Sequence, residues 1–380
     1  MRVLLLSGYD APSHRRWRQS LVQLLPHWQW TVLHQPPRHF KWRMRGGGFL
    51  WAYRDASTLQ QSYDAVVATS MVDLATLRGL VPSLAAVPTL VYFHENQFAY
   101  PQRHHQRADV EPQLINLYSA LSADRIAFNS AYNRDSFLSG AEALFHQLPD
   151  AIPPQVLTQL RERSEVLPVP VEAGCFVQNR AARDGRLSLV WNHRWEYDKA
   201  PDRLLKGLQC FFDRCGDSEP AITVHVVGQQ FREQPPVFDA LKALLTQQGA
   251  LGQWGYVHSQ SEYRQRLADS HVVLSTALHD FQGLSVLEAV AAGCRPIVPA
   301  RQAYPEWFPP AFCYRSHEEH PEREAEAFAD ALLECYCQFR ETRRMSVPDI
   351  RFLHEAKWRD AYQNVITGMV RETKMREAKK

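Results

Sequence analysis

Two carboxylates flanking a glycine turn carry the strongest chemical signal in the chain. Asp280 and Glu288 are separated by seven residues, Phe281-Gln282-Gly283-Leu284-Ser285-Val286-Leu287. The apolar, β-branched run His271-Val272-Val273-Leu274-Ser275-Thr276 ahead of them predicts a buried parallel strand. Leu284, Leu287, Glu288 and Ala291 are spaced to line one side of a helix beginning just past Gly283. A helix start there aims unsatisfied N–H groups and the positive end of its dipole into the turn, where a phosphate or diphosphate sits well. Asp280 before the turn and Glu288 inside the helix then reach the hydroxyls of a sugar or ribose attached to that phosphate. An ordinary strand-to-helix turn with two solvated carboxylates has the same spacing.

Two further clusters are of the same kind. Asn192-His193-Arg194-Trp195-Glu196-Tyr197-Asp198-Lys199 follows the strand-like run Leu187 to Trp191, so Arg194 and Lys199 can converge on one diphosphate or pair with Glu196 and Asp198. His94-Glu95-Asn96-Gln97 follows Thr89-Leu90-Val91-Tyr92-Phe93 directly, and four polar side chains at the end of an apolar strand are costly in a core and useful at a cleft. His94 is the candidate acid/base or sugar ligand, because imidazole titrates in the physiological range. Asn129 and Ser130 repeat the format after Arg125 to Phe128, and capping the helix that follows is their other reading.

Such clusters need strands of open α/β sheets to present them, since ligands of these folds bind at the carboxyl ends of the strands. Apolar runs at 3–6, 30–33, 65–70, 89–93 and 124–130 predict the strands of a first domain; 187–191, 222–227 and 271–276 predict those of a second. A helix is expected from about Ser13 to Leu25, and helical pattern returns from Ile350 to Lys380. The proline-rich stretch Pro149 to Glu172 and the irregular segment after it place the boundary: a first domain over 1–172, a linker over 173–186, a second domain over 187–345, and terminal helices over 346–380. Gly228 marks the glycine turn after the 222–227 strand.

The chain has 380 residues, 45% of them hydrophobic and 22% charged, which describes a folded protein with room for two cores. The apolar run near the N-terminus is too short for a signal peptide or membrane span. Seven cysteines without a CxxC pair suggest neither disulfides nor a zinc site, so a cytoplasmic protein without a bound metal is expected. The net charge of +2 conceals an uneven distribution. From Ala11 to Arg54 there is no Asp or Glu, while Arg15, Arg16, Arg18, Arg38, Lys41, Arg43, Arg45 and Arg54 are interleaved with Trp17, Trp28, Trp30, Trp42 and Trp51. That composition suits neutralising phosphates and stacking bases or sugars; a solvated basic face over core tryptophans is the alternative. Within it, 40–51 reads as basic and then flexible, because three consecutive glycines are poor in any regular element.

The D-x7-E stretch resembles the signature of the retaining glycosyltransferases of family 4, which have the GT-B architecture of two Rossmann-like domains facing a cleft. That resemblance implies Asp280 on the transferred sugar, Gly283 and Leu284 on the diphosphate, and Glu288 on the nucleotide ribose. Family members usually carry Glu where this chain has Asp280, one methylene shorter. Arg194 and Lys199 match the R-x4-K element that neutralises the leaving nucleoside diphosphate, and the backbone at Gly255, Tyr256 and Val257 would meet the base. Ser13-His14, Lys41 to Arg45, the 92–101 motif YFHENQFAYP, FNSAYNRDSF, WNHRWEYDK, HDFQG with Gln282, and YPEWFP together resemble, more narrowly, the tRNA-queuosine α-mannosyltransferase family. The resemblance spans most of the chain. It implies transfer of mannose from GDP-mannose to queuosine at the wobble position of tRNA(Asp), with retention, no cofactor and no protein partner. The residues of the first domain, Ser13, His14, Lys41, Arg43, Arg45, Glu95, Asn96, Gln97, Asn129 and Ser130, would then meet the acceptor.

No DxD pair suggests a metal clamp, so the expected mechanism is metal-independent, with Arg194, Lys199 and the helix start at Gly283 stabilising the leaving group. No second carboxylate is placed as a nucleophile, which favours front-face attack. Two alternatives stay open: a family 4 enzyme acting on a glycolipid or polysaccharide, with Trp17 to Leu25 as its membrane-docking helix, or a non-catalytic RNA-binding protein on a degenerate GT-B fold.

Overall fold

The computed structural model describes residues 1–100, 110–177, 185–216, 220–231 and 235–378. Pro101, which closes the 92–101 motif, and residues 178–184 of the expected linker lie outside the described residues. The chain divides into two units, Met1–Pro170 with Glu355–Lys380, and Val171–His354.

In the first unit, β1 (Arg2–Ser7), β2 (Gln29–His34), β3 (Ala65–Thr69), β4 (Thr89–Phe93), β5 (Arg125–Phe128) and β6 (Ser164–Val166) pair in parallel in the order β2-β1-β3-β4-β5-β6. The continuous apolar runs of the central strands suit a sheet covered on both faces. Phe93 lies opposite Phe128 and Ala68 opposite Val91, so the residues that follow each strand, Ser70, His94 and Asn129, gather at one edge of the sheet. The helix Glu355–Glu377 belongs to this unit, its Tyr362 hydroxyl accepting from Trp17 Nε1 at 3.0 Å and lying 3.1 Å from Pro168 O.

In the second unit, β7 (Leu187–Trp191), β8 (Ile222–Val227), β9 (Leu251–Gly255), β10 (Val272–Leu274), β11 (Arg295–Pro299) and β12 (Cys313–Tyr314) form another parallel sheet, ordered β12-β11-β10-β7-β8-β9. Its core packs Leu189, Trp191, Val224 and Leu274 against Leu204, Leu208 and Phe328. Two six-stranded parallel sheets with helices are the α/β architecture anticipated from the apolar runs. The division falls after Pro170, ahead of the expected linker at 173–186. Val171 bridges His354, and Glu172 is ion-paired with Arg264, so the first residues of that segment are already tied into the second unit.

One expectation, and the docking helix of one alternative, are overturned. Residues 40–51 are no flexible loop but most of a helix, α2 (Phe40–Arg54), preceded by α1 (Pro12–Leu24). The glycines of α2 face close neighbours: a Cβ on Gly48 would lie 3.2 Å from Asp73 O and 3.3 Å from Leu77 Cβ, and one on Gly46 would strike the Trp42 ring at 2.5 Å. At Gly47 and Gly48 close tertiary approach, and at Gly46 the Trp42 ring of the preceding turn, offset the roughly 1 kcal/mol per glycine that a solvated helix loses. The second concerns Trp17 to Leu25, the candidate membrane-docking helix. Trp17, Leu21, Leu24 and Leu25 are all buried, so α1 spends its apolar face on the core of its own unit. Among the described residues no helix is long and apolar enough to cross a membrane.

Candidate active site

In the second unit the site is built where β7 and β10 end. The turn after β10 brings the chain to Gly283, held at φ +74 as the N-cap of the helix Leu284–Ala291. A Cβ at this position would lie 2.7 Å from Tyr304 Cε1, so conformation and close approach both call for glycine. The helix therefore starts where the sequence placed it, its first N–H groups directed into the turn.

Lys199 is the centre of the charge arrangement. Its side chain is 9% exposed, and Nζ lies 3.2 Å from Asp198 Oδ2 and 3.4 Å from Asp280 Oδ2 while donating to His279 O at 2.6 Å. Burial works to raise the Asp280 carboxyl, but Lys199, His193 and the Tyr304 hydroxyl outweigh it and hold the group below its usual range. Asp198 behaves alike, burial being overcome by Lys199 and Arg194. Both are anionic at neutral pH. Arg194 lies at the rim, with NH1 2.6 Å from Glu196 Oε2 and NH2 3.4 Å from Asp198 Oδ2. The pairing of Arg194 with both acids, and of Lys199 with Asp198, which the spacing left open, is thus present.

Glu288, 3% exposed, accepts a hydrogen bond from the Tyr263 hydroxyl at 3.0 Å, and Asn192 Nδ2 donates to that same hydroxyl at 2.9 Å and to Ser285 O at 2.8 Å. Gly228 lies under the β7 exit: a Cβ there would come within 1.7 Å of His193 O. His193 is buried, and burial is the main cause that lowers its pKa to about 4, so its imidazole is neutral. Gly255 ends β9 at φ +100, Tyr256 beside it is 52% exposed, and Gln282 is buried in the turn.

Sequence reasoning missed the residues that hold this turn in place. Tyr304 is 1% exposed; its hydroxyl donates to Asp280 Oδ2 at 2.9 Å and sits 2.7 Å from Ser275 Oγ. Gln302 accepts from Asp280 N and donates to Leu278 O at 2.7 Å. The YPEWFP motif contains Tyr304 and was the available signal. For Tyr263 and Gln302 nothing in the sequence distinguishes them from surface residues.

In the first unit, the edge of the sheet carries a compact aromatic and imidazole cluster. His14 and His94 stack at 4.2 Å between centroids, and Trp17 and Tyr92 each meet His94 edge-on. His14 Nε2 is 3.1 Å from Glu95 Oε2. Burial, with His14 beside it, holds His94 well below the ordinary imidazole pKa, so it works as a neutral group. Its Nε2 is buried and has no hydrogen-bond partner among the described residues. Asn129 donates to His94 O at 2.8 Å and Ser130 caps the Ala131–Gln147 helix by accepting from Asn133 N. Asn96, wholly buried, donates to Asn133 Oδ1 and Ser136 Oγ, and Gln97 N donates to Asn116 Oδ1 at 2.9 Å. Asn96 and Asn129 are therefore engaged in holding the loop after β4, and Ser130 in capping the helix that follows β5. Arg43 turns inward to Gln35 Oε1 at 3.1 Å, Arg45 pairs with Asp73 at 2.8 Å, and Ser13 and Lys41 are exposed.

Residues 2–171 match a family profile described as tRNA-queuosine alpha-mannosyltransferase N-terminal. A Drosophila melanogaster protein named tRNA-queuosine alpha-mannosyltransferase is 31% identical over 323 residues, covering 83% of each chain. Among solved structures, Anabaena HepE in complex with UDP aligns over 100% of both chains with a TM-score of 0.58 and 13% identity. A trehalose-6-phosphate structure from E. coli, bound with UDP-2-fluoro glucose, aligns over 97% of this chain and 99% of its own, with a TM-score of 0.63 and 12% identity. At such identities these structures speak for the fold, which is GT-B. With the extent of the Drosophila match and the profile over the first unit, the chain belongs to the tRNA-queuosine alpha-mannosyltransferase family.

Proposed function

We propose that this hexosyltransferase moves mannose from GDP-mannose to queuosine in the anticodon of tRNA(Asp), in the cytoplasm, with retention of configuration and with no metal in the step. The observation that carries this reading is Lys199, buried between Asp198 and Asp280 at the mouth of the helix that begins after Gly283. An ammonium in that position, a guanidinium at the rim and a helix N-terminus form a cradle for a diphosphate whose negative charge grows as the glycosidic bond loosens. Asp280, kept ionised and oriented by Tyr304, is the acceptor for sugar hydroxyls; Glu288, held by Tyr263, is the acceptor for the ribose. Asp280 and Glu288 each accept a hydrogen bond, from Tyr304 and Tyr263, that fixes the carboxylate for recognising hydroxyls. Front-face attack, with the departing phosphate oxygen taking the acceptor's proton, is the step consistent with this set. Neutral His94 orients a hydroxyl.

Incubation of radiolabelled GDP-mannose with queuosine-containing tRNA(Asp) tests the reading, with EDTA present in a parallel arm. Label is expected on the RNA in both arms and absent from tRNA lacking queuosine. No transfer to queuosine tRNA, or transfer to a lipid extract instead, refutes it.

A further inference from the structure

Once α2 is recognised as a helix, its two sides differ sharply. One side buries Arg43, Met44, Trp51 and the three glycines. The other turns Lys41, Trp42, Arg45, Phe49 and Tyr53 outward, with half of Trp42 and Phe49 and 70% of Tyr53 exposed. Positions 42, 45, 49 and 53 advance by three and four residues, so these side chains form one stripe along the helix. Phe49 and Tyr53 neighbour each other with ring centroids 5.1 Å apart. Arg45 is held in place by Asp73 at 2.8 Å and Glu111 at 3.4 Å. The stretch from Ala11 to Arg54 that contains this helix has no acidic residue.

Three large rings exposed along one helix face need an occupant, and the charge pattern selects among the kinds available. A helix that lies in a lipid surface separates its apolar face from a cationic face. In α2 the opposite face is in the core, and the two cations share the face with the rings, Lys41 beside Trp42 and Arg45 between Trp42 and Phe49. A protein partner of ordinary surface would not call for an acid-free segment. Rings for stacking, interleaved with cations, match unpaired nucleotides, whose bases present π-faces and whose backbone presents phosphates.

We propose that the Trp42, Arg45, Phe49, Tyr53 face of α2, with Lys41, docks unpaired nucleotides of a tRNA by stacking, independently of whether the modified base is present. This rests on the reading that the acceptor is a tRNA and adds the surface that holds it. The test is binding of an unmodified tRNA(Asp) transcript, and in a parallel arm of phosphatidylserine-containing vesicles, to the full chain across a salt series, comparing wild type, a Phe49→Ala/Tyr53→Ala double variant and Lys41→Ala. A ligand-free thermal melt and the circular-dichroism spectrum of each variant serve as the check on folding. The double variant is expected to bind the transcript at least about tenfold more weakly, from stacking losses at two rings. Lys41→Ala is expected to lower the slope of log affinity against log salt by about 0.7. If the double variant fails to fold, Tyr53→Ser at the most exposed ring gives the same measurement, with about a fivefold loss expected. Binding within twofold of wild type in the folded variants overturns the proposal while leaving the acceptor reading intact. Wild type that binds no tRNA overturns the acceptor reading and this surface with it. Loss of affinity for anionic vesicles, with tRNA binding unchanged, overturns it in favour of a lipid surface.

Discussion

Tyr304→Phe isolates a single hydroxyl at the centre of the site. The phenol is buried, donates to Asp280 Oδ2 at 2.9 Å and lies 2.7 Å from Ser275 Oγ, while the ring itself packs against the Gly283 turn. Burial and the neighbouring Asp280 carboxylate hold the phenol far above its usual pKa, so it stays protonated and donates at any pH the enzyme experiences. Phenylalanine keeps the ring contact and removes only the donor. A hydrogen bond to a charged group contributes about 1.5–3 kcal/mol. If Asp280 must be held in one orientation while the sugar passes through the transition state, that loss appears in kcat as a fall of roughly 10- to 100-fold, with KM for GDP-mannose changed little. One of the three groups that outweigh burial at Asp280 is also lost, so the acid limb of the rate profile moves to higher pH. Steady-state transfer to queuosine tRNA, measured between pH 4 and 8 alongside a thermal melt, reads all three quantities. A variant that melts earlier yet transfers within twofold of wild type, on an unmoved acid limb, shows that Tyr304 serves stability alone and refutes the positioning argument.

Gly283→Ala combines a left-handed backbone with a Cβ 2.7 Å from the Tyr304 ring, so it should cost about 2 kcal/mol or more and abolish donor binding by calorimetry; unchanged affinity contradicts the turn assignment. Arg194→Ala removes an exposed rim cation, and melting should shift little while transfer is lost; an active variant sinks its role on the leaving group. Lys199→Ala leaves Asp198 and Asp280 facing each other without their common cation, which should cost about 3–5 kcal/mol in stability; a melt equal to wild type argues against the ion arrangement. His193 and His225 are both lowered to about 4, chiefly by burial, so the unfolded chain binds their protons first. Their contribution is complete above about pH 6.5 and shrinks as pH falls toward 4, by about 2 kcal/mol each at pH 5. Denaturant melts of the second unit at pH 7.5 and 5.0 check this, and equal midpoints contradict it.

The strands were legible because a parallel sheet covered on both faces demands unbroken apolar runs: Thr89–Phe93, Leu187–Trp191 and Ile222–Val227 occur where composition placed them. The Gly283 turn and the helix after it were legible for a similar reason, since local backbone chemistry restricts what can stand at a left-handed N-cap. Whatever depended on contacts far apart in the chain was not. The glycines at 46–48 look like a flexible loop until Gln35 approaches Gly47 and Asp73 with Leu77 approach Gly48, and Trp17 to Leu25 looks like a membrane face until Tyr92 and Tyr362 cover Trp17. Lys199 could be named from spacing, but that it sits between two carboxylates, one of them eighty-one residues away, is decided by the pairing of β7 with β10. Tyr304 reaches Asp280 because β11 runs beside β10 and returns the chain to the same edge of the sheet. Residue types and local spacing thus determine which chemistry the chain can perform. The charge state and orientation of each group depend on desolvation and on partners that only the tertiary fold brings within hydrogen-bonding distance.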